Sequence, residues 1–123
     1  MQLVEEKTGY RKLKVWQKAD ELAVEVYKIT QKLPGCEFYG IVLQIRRAAL
    51  SVPTNIAEGS GRQNRNEIRQ FLNIALGSLS EVEYLLEFCR KIGYLSRFEY
   101  ERIEGIRSEV GGLLWRFYCA FQE

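Results

Sequence analysis

A chain of 123 residues, 46% of them hydrophobic, can fill one core, so residues 1–123 are expected to form a single domain. Its 18 Lys and Arg nearly balance 16 Asp and Glu, so net charge marks neither a nucleic-acid nor a membrane protein, and any basic signal must be local. The three cysteines, Cys36, Cys89 and Cys119, are odd in number and widely spaced, with no Cys-x-x-Cys pair; they exclude a disulfide framework or zinc site and read as reduced, partly buried thiols of a cytoplasmic protein.

Met1 to Arg11 mix polar and charged groups without an apolar core and read as neither signal peptide nor membrane anchor. No stretch approaches the roughly 20 apolar residues that span a bilayer. From Leu13 to Phe121 apolar residues recur at three- and four-residue steps, the period of a helix, and strand alternation is absent. Helix one is predicted over about 14–32, with Trp16, Ala19, Ala23, Val26, Ile29 and Leu33 on one face and Pro34-Gly35 as the stop.

Helix two is predicted over about 38–58. Ile41, Ile45, Ala48, Val52 and Ile56 form its core stripe, and Leu43, Leu50 and Ala57 carry apolar character round the far side. Only the line Gln44, Arg47, Ser51, Asn55 and Glu58 stays polar, so this helix is expected to be covered on more than one side, by sister helices and by another subunit. Asn64 with Glu67 has the spacing of a capping box and opens helix three, about 65–92, which Gly93 ends. Ser96 with Glu99 opens helix four, about 97–121. Four helices with short connections predict an all-α, antiparallel up-down-up-down four-helix bundle.

Two residues break local rules. Pro53 inside helix two removes a backbone donor and clashes with the carbonyl of Ala49, so a kink is expected there. Gly77, in mid-helix beside Ala75 and Ser78, costs about 1 kcal/mol relative to Ala, and close approach of another helix is its simplest explanation.

Catalytic chemistry finds little support. Histidine is absent, which removes the commonest general base, the usual triad partner and the commonest metal ligand, so neither an enzyme nor a metal or organic cofactor is expected. Glu83 and Glu87 share a helix face but lack the Glu-x-x-His pairs of a di-iron bundle, and read as a solvated acidic face. Gly59-Ser60-Gly61-Arg62 lacks the lysine and the preceding strand of a phosphate loop and reads as a helix-helix turn with Gly59 ending the helix. The free amides opening helix three, beside Arg62 and Arg65, are a weaker single-phosphate site.

Between residues 44 and 70 Arg46, Arg47, Arg62, Arg65 and Arg69 are opposed only by Glu58 and Glu67. Arg62, Arg65 and Arg69 follow helical steps and can line one surface, either as a salt-sensitive phosphate contact or as solvated groups and intersubunit ion pairs. Arg46 projects from the apolar side of helix two and needs a partner; Glu81 is the candidate carboxylate. Tyr10, Arg11, Lys12 and Lys14 form a second basic cluster, a frayed terminus or a contact surface.

Leu33-Pro34, Tyr39-Gly40, Gln44 to Ala49, Ser51-Val52-Pro53, Asn55 to Gly59 and Gly77-Ser78-Leu79 occur in the order seen in ribosomal RNA intervening-sequence proteins, which this chain resembles from about Tyr10 to Phe121. The resemblance implies a four-helix bundle that assembles into a ring-like homopentamer. The accessory variability determinant of diversity-generating retroelements, which binds nucleic acid and a reverse transcriptase through a basic pentameric surface, is similar to that family. Within the shared motif, Asn55 is expected to bond backbone groups freed by Pro53, and Glu58 to pair with an arginine, setting kink and assembly rather than touching a ligand. The expected function is a homo-oligomeric adaptor contacting RNA, DNA or a nucleoprotein through Arg47, Arg62, Arg65 and Arg69. A protein-binding scaffold without nucleic acid is the alternative.

Overall fold

The periodic segments close into four α-helices in the computed structural model, which describes residues 9–122: α1 (Lys14–Thr30), α2 (Leu43–Ser60), α3 (Arg65–Lys91) and α4 (Arg97–Cys119). Of the lead-in, residues 1–8 lie outside the described residues, as does Glu123. Side-chain oxygens set two of the starts. Asn64 Oδ1 accepts from the N–H groups of Asn66 and Glu67 at 2.8 and 3.2 Å. Ser96 Oγ accepts from the Glu99 N–H at 3.1 Å while Glu99 Oε1 accepts from the Ser96 N–H at 2.9 Å, a reciprocal capping box. Gly93 ends α3 at φ 89°, with the Tyr94 N–H donating to the Cys89 carbonyl at 2.8 Å and the Gly93 N–H to that of Arg90 at 3.2 Å. This left-handed turn is open to glycine at no steric cost.

Adjacent helices run antiparallel. Lys18 meets Glu109 while Arg102 meets Glu25, so α1 and α4 count in opposite directions. Gln44 meets Glu81 and Ser78 meets Ser51 across α2 and α3. Arg107 of α4 reaches Glu83 of α3, and Arg46 of α2 reaches Thr30 of α1. The four apolar faces meet in one core, whose fully buried side chains include Leu22, Val26, Ile45, Ile56, Leu72, Leu86, Ile103 and Leu114. Burial of this kind is the main term holding a small bundle together, at about 25 cal/mol per Å² of apolar surface removed from water.

The irregularities fall in places other than those expected. Phe38–Val42 forms a π-helical turn with non-helical geometry at Gly40 (φ −103°, ψ −112°), so α2 proper begins at Leu43 rather than Phe38. α2 then continues through the buried Pro53 as one helix to Ser60, and the non-helical backbone angles lie at Gly40. Gly59 does not end the helix; Gly61 caps it. Instead, Gly59 is buried where α2 and α3 touch, and a Cβ placed there would stand 2.9 Å from the Phe71 Cβ. Gly77 is the reverse case. It is exposed, and an added Cβ would meet nothing within 4 Å among the described residues, so the close helix approach expected there is not made by the other three helices of this chain.

Candidate nucleic-acid interface

Arg46 is partly buried on the α1 side of α2, and its partners are not the expected carboxylate. Its Nε donates to Thr30 Oγ1 at 2.9 Å, its Nη2 to the Tyr27 carbonyl at 3.1 Å, and its guanidinium lies 4.5 Å from the Tyr27 ring centroid. Thr30, buried, donates its own hydroxyl proton to the Val26 carbonyl at 2.7 Å, which leaves its oxygen as an acceptor for Arg46. A planar ion can satisfy two carbonyl or hydroxyl acceptors and stack on a ring at once, so no counter-charge is needed. Glu81 sits elsewhere, in the α2–α3 groove, where it accepts from Gln44 Nε2 at 3.3 Å.

Gln44, Arg47 and Ser51 of the polar line of α2 face that groove. Asn55 Nδ2 donates to the Ser51 carbonyl at 2.8 Å and to Ser51 Oγ at 2.9 Å, and Ser78 Oγ donates to Ser51 Oγ at 2.7 Å. Asn55 thus serves a link between two helices, not the Ala49 carbonyl that Pro53 frees. This chain of small hydroxyls fixes the register of α2 on α3 and keeps the two helices close, and in it Ser78 is the member that sequence reasoning passed over. Its signal in the sequence was its place beside Gly77 in the Gly77-Ser78-Leu79 motif. Arg47 is exposed at the groove's edge and has no hydrogen-bond or ionic partner among the described residues.

At the α2–α3 turn, each arginine is held differently. Arg62 donates to Glu58 Oε1 at 3.2 Å, the pairing expected for Glu58, and stacks 4.9 Å from the Phe71 ring. Arg65 donates to the Ala120 carbonyl at 3.0 Å and lies 5.4 Å from the Phe121 ring. Arg69 donates to Asn66 Oδ1 and borders a polar depression with Tyr118. Phe71 lies about 200° round the helix from Arg69. The three arginines therefore flank the start of α3, Arg62 on the α2 side and Arg65 with Arg69 on the α4 side, rather than forming a single row. The amides opening α3 are already occupied by Asn64, so the phosphate pocket expected there is filled by the chain's own cap.

Two further polar groups shape the bundle away from this turn. Arg107, nearly buried, donates through Nε to Glu104 at 2.9 Å and reaches Glu83 at 3.5 Å; Glu83 is thus part of an ionic tie between α3 and α4, not only a solvated group. Hydrogen bonding to Glu104 raises the Arg107 pKa against the opposing effect of burial. Tyr94 donates to Glu37 at 2.6 Å, which with burial pushes its phenol up to about 12. Burial pushes the Cys89 thiol up to about 11, aided by the nearby Glu37 carboxylate. The three thiols are free: Cys36 exposed, Cys89 buried and Cys119 between. Among the described residues no group of three His, Cys, Asp or Glu could hold a metal ion, and no helix is long and apolar enough to cross a membrane.

Four antiparallel helices around one apolar core place the chain among the small all-α four-helix-bundle proteins. Within that class it belongs to the 23S rRNA-intervening sequence protein family, whose profile matches residues 11–116. Its fold is similar to the crystal structure of a protein of unknown function from the S23 ribosomal protein family of Bacteroides thetaiotaomicron, with a TM-score of 0.78 and 31% identity over 85% of this chain and 94% of that one. No curated protein matches the chain.

Proposed function

We propose that the chain is a non-enzymatic, homo-oligomeric adaptor of the cytoplasm, a pentamer, that contacts RNA, DNA or a nucleoprotein through Arg47, Arg62, Arg65 and Arg69. The observation that carries assembly is Gly77. A mid-helix glycine costs about 1 kcal/mol relative to Ala, yet among the described residues nothing stands within 4 Å of where its Cβ would be. It lies on an outward face of α3 where Ile74 and Tyr84 are 51% and 59% exposed. A second copy packed there would cover these groups and use the space that the missing side chain leaves. Light scattering at micromolar concentration should give an oligomeric mass that falls towards the monomer in Gly77→Leu; a monomeric wild type overturns the assembly reading.

For the nucleic-acid half, support comes from the exposed guanidinium groups of Arg47 and Arg62, which keep unused donors among the described residues. Arg62 spends one donor on Glu58 and its face on Phe71, leaving its other edges to solvent. Retention of RNA or DNA at low salt, reduced when Arg62, Arg65 and Arg69 are changed to Ala, is the expected result. A protein-binding scaffold without nucleic acid is favoured by a specific observation, namely that all three of these arginines already have partners within the chain. That reading predicts a protein partner retained after nuclease treatment and in high salt, with no nucleic acid bound.

A further inference from the structure

The sequence separates two basic clusters by some fifty positions, and the fold brings them to one end of the bundle. The short helical turn Gly9–Lys12 and the start of α1 meet the end of α2, the start of α3 and the end of α4: Tyr10, Lys12, Gly61, Ile68 and Phe121 line one depression. Arg11, Lys12 and Lys14 therefore share this end with Arg62, Arg65 and Arg69, opposed by Glu58 and Glu67. Lys12 and Lys14 have no ionic or hydrogen-bond partner among the described residues. At the other end Lys32 pairs with Glu99 and Arg97 with Glu101, while Arg90 and Lys91 stand in the last turn of α3, where cations suit the helix dipole.

Helix stability does not account for the whole of this placement. The first turn of α1 contains no acidic residue and begins with Lys14, and α3 begins with Arg65. Cations at helix N-termini oppose the helix dipole, so Lys14 and Arg65 work against their own helices and in favour of a negatively charged partner, with Glu67 offsetting Arg65 and with Arg62, past the end of α2, suiting the dipole there. Beside them runs an open groove of about 610 Å³ between α1 and α2, walled by Tyr10, Trp16, Leu50 and Pro53, with Arg62 at its rim. Tyr10 and Trp16 meet edge to face at 5.0 Å, and the Arg11 guanidinium lies 4.7 Å from the Tyr10 centroid. Asp20 and Glu58 also line the groove, so a phosphate is excluded from it while a flat, hydrogen-bonding ring is not.

We propose that these six cations and the Tyr10–Trp16 groove form one site for single-stranded nucleic acid, with phosphates on the cations and one base in the groove against Trp16. This rests on the nucleic-acid reading above and adds to it the strand class and the α1 lead-in. A duplex keeps its bases stacked inside and cannot fill the groove, whereas an unpaired base can.

The test uses the full chain and a labelled 20-nucleotide single-stranded DNA, alone and annealed to its complement, with binding read by fluorescence anisotropy from 0.05 to 0.2 M salt. The single strand should bind at least about fivefold more tightly than the duplex, the lower bound for one stacked base. Lys12→Gln with Lys14→Gln should lower the salt slope by about 1.4 and weaken binding about 25-fold at 0.1 M salt. In Trp115→Phe, where Trp16 is the remaining tryptophan, saturation with single strand should quench its fluorescence. Unchanged binding in the double lysine variant, where Arg62, Arg65 and Arg69 to Ala abolishes it, overturns the joined site and leaves the turn arginines standing. Equal binding to duplex without Trp16 quenching overturns the groove. Absence of binding to either strand form at 0.05 M salt overturns this proposal and the nucleic-acid reading together.

Discussion

Gly59→Ala tests how tightly α2 and α3 are joined. The new Cβ would lie 2.9 Å from the Phe71 Cβ and 3.5 Å from the Ile68 carbonyl oxygen, both fixed to the backbone of α3, so relief requires the helices to separate along a shared length. Overpacking of this kind costs about 1–3 kcal/mol, and rigid atoms on both sides put it in the upper part of that range. Replacing a helical glycine returns about 1 kcal/mol. The net expectation is a loss of about 1–2 kcal/mol, or a fall in melting temperature of about 4–8 °C for a chain of this size. Circular dichroism melts and urea titration should show it, with an unchanged urea slope. Phe71→Ala keeps the offending Cβ and should not rescue the variant. Gly77→Ala is the internal control: with open space around it, the same change should raise the stability of the dissociated chain by about 1 kcal/mol. A Gly59→Ala protein that melts at or above the wild-type temperature would refute the reading of a glycine-dependent α2–α3 contact.

Arg46→Ala should lose about 2 kcal/mol, since two charge-assisted hydrogen bonds and a ring contact go together, and Arg46→Lys should recover only part of it, as seen in denaturant titrations. Ser96→Ala should cost about 1 kcal/mol in the same assay through loss of the α4 cap. A thiol reagent at pH 8 should label Cys36 in the folded chain and reach Cys89 only on unfolding, because that thiol is buried and held neutral by a pKa near about 11; peptide mapping before and after urea reads this directly. The hydrogen bond from Lys32, then that from the Ser96 N–H, holds the Glu99 carboxyl below its ordinary value of 4.5. Its contribution is complete above that value and is lost as pH falls through the lower folded one. Between pH 6 and 3 the wild-type melting temperature should therefore fall more steeply than that of Glu99→Gln; parallel curves would show that the carboxylate contributes nothing.

The helices were legible because their signals are local. A three- and four-residue apolar period, Ser96-x-x-Glu99, Asn64 and Gly93 each act within a turn of where they stand. Contacts across helices were not legible in the same way. Arg46 was assigned a carboxylate because a half-buried charge needs compensation, but carbonyl, hydroxyl and ring together compensate a guanidinium, and which helix supplies them depends on packing. Gly59 and Gly77 exchanged roles for the same reason: sequence marks both as costly in a helix, and only the neighbouring surface says which one makes room for a partner. Pro53 drew attention to itself as a breaker, whereas Gly40, whose backbone departs most from helical geometry, sits in an otherwise apolar run that reads as the start of a helix.

The partners that Arg62 and Arg65 have within the chain do not remove them from function. A guanidinium stacked on Phe71 or near Phe121 has lost much of its rotamer freedom already, so ordering it on a phosphate costs less than ordering a free side chain. Its ring contact uses the face of the ion, and phosphates are read by its edge. Lys12 and Lys14 differ: exposed and without a hydrogen-bond or ionic partner among the described residues, they add charge without direction. A site built from both should lose geometry when Phe71 is changed to Leu, shown as weaker binding at an unchanged salt slope, and lose slope when the lysines are changed. If both changes alter the slope alone, the stacked arginines act only as diffuse charge and their placement by Phe71 and Phe121 belongs to the fold.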